Sequence, residues 1–99
     1  MNTDQMAERQ VRLYEARMKR LDELIEKARK GLDGHPEKHK HEKTLAEILE
    51  RRDALQVRID ELTLKHPDDP QEQIEKAGLM AVWDVLAQDL EKLLERMGL

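Results

Sequence analysis

Proline decides where this chain can be helical. Two proline-bearing breaks, Asp33-Gly34-His35-Pro36 and His66-Pro67-Asp68-Asp69-Pro70, punctuate a sequence of 99 residues. Proline removes a backbone donor and crowds the preceding turn, so a helix stops at such a site and restarts after it. The three stretches left between the breaks are each about 28 to 30 residues long, well beyond an ordinary globular helix. The expectation is therefore an all-α fold in one domain spanning residues 1–99. Helices are expected over about 3–31, 37–65 and 70–97, with turns at 32–36 and 66–69. Short turns between long helices make the first two an antiparallel, coiled-coil-like hairpin, and the third completes a three-helix bundle or joins its oligomer.

The apolar spacing supports that reading. Val11, Tyr14, Met18, Leu21, Ile25, Ala28 and Leu32 advance in steps of three and four, placing one seam along the first helix. Glu8 with Arg12, Glu15 with Lys19, Glu23 with Lys27 and Glu26 with Lys30 lie off that seam, and each such pair is worth a few tenths of a kcal/mol. Asn2 or Thr3 offers a cap at the start, and Gly31 and Gly34 offer the positive φ that ends a helix.

Leu45, Ile48, Arg52, Leu55, Ile59 and Leu62 repeat the spacing in the second helix. Arg52 is the exception on this seam, because a buried guanidinium needs a partner, a route to solvent, or an aromatic face. Facing residues of an antiparallel pair have numbers with a constant sum. A sum of 66 sets Tyr14 against Arg52 and Met18 against Ile48, whereas 73 sets Leu21 against Arg52 and Tyr14 against Ile59. The first is preferred here, since it gives Arg52 a ring.

The third helix starts at Asp69-Pro70-Gln71-Glu72, where Asp69 fits the cap, Pro70 the first helical position and Glu72 a capping box. Leu79, Val82, Trp83, Leu86, Leu90, Leu93, Leu94 and Met97 make one apolar face. A second stripe, Ile74, Ala77, Gly78, Ala81 and Val85, runs along the other side of its first half. A helix apolar on two sides needs two neighbours, either both inside the bundle or one from another chain. The small residues suit a close backbone approach, and Gly78 in mid-helix implies a packing reason for its presence. Ile74, Ala77, Gly78, Met80, Ala81, Trp83 and Val85 are the expected partner or oligomer interface.

Composition narrows the function. The chain is 40% charged and 2% aromatic, has no cysteine, and carries a net charge of −4. The charge is uneven: residues 1–32 hold 8 basic and 6 acidic side chains, 33–66 hold 7 and 8, and 67–99 hold 3 and 8. An acidic, apolar third helix beside a basic first one argues for helix–helix contact and against nucleic acid, which demands a basic patch. No apolar run reaches the roughly 20 residues of a membrane span, and Met1-Asn2-Thr3-Asp4-Gln5 lacks the pattern of a signal peptide, so a mature chain in the cytoplasm is expected.

His35, His39 and His41, with Glu37 and Glu42 nearby, are the one chemical cluster, and His35 and His39 have the four-residue spacing of metal ligands. Pro36 removes His35 from the helix, and Lys38 and Lys40 oppose a cation, so a solvated turn is the plainer reading, with weak metal or pH response as an alternative. No Glu-x-x-His, His-Glu-x-x-His or glycine-rich phosphate loop occurs, and Thr3, Thr44 and Thr63 lack a catalytic setting. The expectation is a non-enzymatic interaction or scaffolding module, without cofactor or small-molecule substrate, that pairs with itself, a dimer being favoured, or with another helical protein. A chaperone-like or regulatory adaptor masking a partner's helix is the alternative, and Met6, Met18, Met80 and Met97 allow adaptable packing for it.

Overall fold

A computed structural model describes residues 3–99, with side chains from Tyr14 onward. Val11, Met6, the Glu8–Arg12 pair and a cap from Asn2 or Thr3 fall outside the described side chains. Four helices and no strand are present among the described residues: α1 (Thr3–Leu32), α2 (Lys38–Lys65), α3 (Pro70–Lys76) and α4 (Leu79–Arg96). They form an elongated bundle of 53 × 21 × 17 Å.

The α1 seam turns inward as its spacing demands, with Tyr14, Met18, Leu21, Ile25, Ala28 and Leu32 all buried. From α2 the bundle buries Leu45, Ile48, Leu55 and Ile59, while Leu62 packs partly buried against them. Gly31 continues α1, and Gly34 is the residue that takes positive φ, at 71°. The charged pair closed on the described part of α1 is Arg20 with Glu23, 3.9 Å apart.

Asp22 of α1 holds Arg52 of α2, and Tyr14 lines the same groove as Ile59 and Thr63. The hairpin therefore takes the register of sum 73, and the preferred register of 66 is wrong. A carboxylate offers the guanidinium two charge-assisted bonds, which a tyrosine face cannot match.

The third helix is not continuous. Residues 70–97 break at Ala77-Gly78, where Gly78 adopts φ 70° and ψ 21°. The Gly78 amide donates to the Glu75 carbonyl at 3.0 Å and the Ala77 amide to Gln73 at 3.0 Å, closing α3. The cause is a conflict of phase. On an unbroken helix Ile74 would lie about 140° around the axis from Leu79 and about 120° from Leu86. One hairpin cannot bury both faces, yet Ile74, Leu86 and Leu90 all have 0% exposure. A left-handed residue between them resets the phase, and glycine adopts it without steric cost. Gly78 thus serves a turn and not close packing, since nothing lies within 4 Å of where its Cβ would be.

Pro70 stands at the start of α3 as expected and is buried there. The capping box does not form: the Asp69 carboxylate accepts from Gln73 Nε2 at 3.0 Å, and Glu72 pairs with Lys76 at 3.1 Å. α4 then runs parallel to α1 and antiparallel to α2, packing more extensively on α2. Its C-terminus closes with the Gly98 amide on the Glu95 carbonyl and the Leu99 amide on Leu94, the double bond of a Schellman end.

Candidate functional site

α4 commits one face to the hairpin and leaves another bare. Leu79, Leu86, Leu90, Leu93, Leu94 and Met97 are buried. On the α1 side, Trp83 is half-buried, its Nε1–H donating to the Arg17 carbonyl at 3.2 Å with the Arg17 guanidinium 5.7 Å from the ring centroid. Met80 is also half-buried, its sulfur accepting from Arg17 Nη1 at 2.7 Å. On the α2 side, Asp89 meets Arg51 at 2.9 Å. Beyond that pair the helix exposes Ala81, Val82 and Val85, preceded by exposed Ala77 and Gly78.

The seven residues expected to form one surface therefore divide. Ala77, Gly78, Ala81 and Val85 are exposed. Ile74 is spent in the chain's own core, and Met80 and Trp83 lean on α1, so these three do not belong to a free stripe. Val82, read as a core position, is 41% exposed and joins Val85 at 47% on the outer edge. Its helical angle would have shown it at the margin of the apolar face. Sequence reasoning also passed over Val57 and Leu64, exposed seven residues apart on the outer side of α2.

The histidines at the tip do not converge as a trio. The Glu37 amide donates to His35 Nδ1 at 3.0 Å, so that nitrogen is bare and Nε2 carries the hydrogen, which it gives to the Met97 carbonyl at 3.3 Å. His35 thereby fastens the end of α4 to the hairpin tip. Its ring meets His41 edge to face, with centroids 4.9 Å apart. His41 is 3% exposed, and its Nε2 lies 3.5 Å from Glu37 Oε2 without a hydrogen bond. His39 points to solvent beside Glu42. Among the described residues no group of three or more His, Cys, Asp or Glu side chains is placed to hold a metal ion.

Two grooves follow the open side of the α1–α2 hairpin. One, of about 310 Å³, lies over Tyr14, Met18, Ile59 and the Arg52–Asp22 pair. The other, of about 380 Å³, lies over Leu32, Leu45 and Leu49 near the tip. The Tyr14 hydroxyl at the first is held above its ordinary value by burial and by the nearby Glu75 carboxylate, with Arg17 opposing. Arg52 is pushed up, chiefly by its hydrogen bonds to Asp22. No helix among the described residues is long and apolar enough to cross a membrane. No protein-family model matches this chain, and no curated protein or solved structure does.

Proposed function

We propose that the chain is a cytoplasmic, non-enzymatic helical interaction module whose working surface is the outer edge of α4. The observation that supports this reading is that Ala81, Val82 and Val85 stay exposed on a helix whose opposite face is fully buried. A second amphipathic helix laid along the edge, from another copy of the chain or from another helical protein, would cover them. Burying two valines contributes roughly 2–4 kcal/mol before the cost of association, which suits a reversible contact. The small side chains of Ala77 and Ala81 let the incoming backbone approach. The acidic excess of residues 67–99 favours a basic surface opposite it, and residues 1–32 are the stretch of a second copy whose sequence has a basic excess.

Light scattering over a dilution series tests the proposal. A native chain whose mass falls on dilution, beside Val82→Glu and Val85→Glu variants that stay monomeric and folded, supports it. Variants with the native mass profile, or a native monomer throughout that captures no helical partner, would remove the α4 edge as the working surface.

A further inference from the structure

We infer that α4 exchanges between two copies of this chain, with Gly78 as the hinge. The inference rests on the reading of the chain as self-associating and names the contact by which it does so. Three observations carry it.

The first is the freedom of the hinge. Ala77 already has right-handed helical geometry, at φ −77° and ψ −6°. Gly78 alone departs from it, at φ 70°, with empty space where a Cβ would stand. Moving this one residue from the left-handed to the right-handed region joins α3 and α4 into a single helix from Pro70 to Arg96. The flanking sequence, Gln73-Ile74-Glu75-Lys76-Ala77 and Leu79-Met80-Ala81, favours that helix.

The second is the two-sided pattern. On the straight helix Ile74 lies about 140° from Leu79 and about 120° from Leu86, off the face those two share. One hairpin cannot bury both faces, but two can: Ile74 keeps its seat in its own chain, and Leu79 to Met97 enter the hairpin of the other. The stripe that makes this stretch apolar on both sides is what such a helix requires. Ala77, Gly78, Ala81 and Val85 then fall where the two straight helices cross, and three of these four are small enough for a close crossing.

The third is the match of contacts. The hairpin offers the Arg17 carbonyl to the Trp83 indole N–H, Arg51 to Asp89, and His35 to the Met97 carbonyl. A second copy restores all three, and so fits the vacated groove as α4 itself does.

Gly31 and Leu99 provide the test. The Leu99 side chain occupies the space a Cβ on Gly31 would take, and this contact lies at the far end of α4 from the hinge, about 28 Å along the helix. The chain has no cysteine. Gly31→Cys and Leu99→Cys are made in separate chains, mixed at high concentration and oxidised. Exchange predicts a disulfide joining the two different chains. Gly78→Ala, which penalises the bend and favours the straight helix, is expected to tighten self-association roughly a thousandfold, because two hinges straighten per dimer. Gly78→Asn, which tolerates the left-handed region, is expected to stay near the native affinity.

A native dimer by light scattering in which the two thiols never join overturns the exchange and leaves docking on the α4 edge standing. Absence of any dimer, in the native chain and in Gly78→Ala alike, overturns the exchange together with the self-association it rests on. Should Gly78→Ala not fold, the disulfide in the native-hinge chains still decides.

Discussion

Arg52 donates to Asp22 through two parallel bonds, Nε to Oδ1 and Nη2 to Oδ2, each 2.8 Å long, across the α1–α2 hairpin. Arg52 Nη1 also reaches Asp53 at 3.3 Å. The pair sits where a leucine would continue the seam, so it sets the hairpin's register at some expense of apolar contact. Asp22→Ala is expected to cost about 1 kcal/mol, as a well-formed bidentate pair at a half-exposed site does. Arg52→Met in the Asp22→Ala background is expected to recover most of that loss, since the seam then closes with an apolar side chain. Urea unfolding of the four proteins in the cycle checks this. Strictly additive losses would show that the two side chains do not act as a pair.

Gly31 and Gly34 stand three residues apart and should respond to alanine with opposite signs. Gly31 is helical, and a methyl there meets only the flexible ends of Leu99 and of Met97, the latter 3.1 Å away. Those ends give way, and helix propensity gains up to about 1 kcal/mol, so Gly31→Ala should be neutral to stabilising. Gly34 has φ 71° with open space around it. Gly34→Ala is therefore resisted by its backbone alone and should cost about 1–2 kcal/mol. Thermal melts of the two variants suffice, and losses of equal size would contradict the assignment of Gly31 to the helix.

Tyr14 gives the fold an alkaline limit. Its hydroxyl is raised above the ordinary value of 10.0, first by burial and then by Glu75. The folded state thus holds the phenolic proton more tightly than the unfolded chain. The resulting stabilisation is fully present below about pH 10 and is lost as pH rises through the folded value. The stability advantage of the native protein over Tyr14→Phe should hold up to about pH 10 and shrink as the pH rises beyond it. Tyr14 is the single tyrosine, so phenolate absorbance reports its titration directly. A difference between the two proteins that is flat with pH would mean that the hydroxyl is not sequestered.

The residues that were legible in the sequence are those governed by period and by proline. The α1 seam from Tyr14 to Leu32 and the start of α3 at Pro70 follow from spacing and from a missing N–H, which act locally. What was not legible depends on partners distant in the chain. Arg52 could be recognised as needing a partner, but the choice between Tyr14 and Asp22 is a competition between two registers that only the assembled hairpin resolves. Gly78 carried a signal that went unread: eight residues after the proline start at Pro70, Lys76-Ala77-Gly78 has the basic last turn and following glycine of a helix end. It was masked because apolar residues continue at helical spacing on both sides. At the α4 edge, the helical angle of Val82 marks it as marginal, and the separation of the helices then leaves it exposed.

Ile74 and Val85 share a stripe in the sequence and part company in the fold, which makes them the sharpest pair for substitution. Ile74 is fully enclosed beneath α3, whereas Val85 is half exposed. Ile74→Ala removes buried methyl groups and leaves a cavity, so a loss of about 2–4 kcal/mol is expected. Val85→Ala touches nothing enclosed and should change monomer stability by less than about 0.5 kcal/mol. The two differ again in self-association, where Val85→Ala should weaken the dimer while leaving the melting of dilute protein unchanged. If α3 and α4 were instead one helix carrying a free stripe, both substitutions would be mild in dilute protein and both would act on the dimer. Urea unfolding of dilute samples beside light scattering of concentrated ones separates the two arrangements, because Ile74→Ala lowers stability at every concentration when Ile74 is buried and only where copies meet when it is exposed.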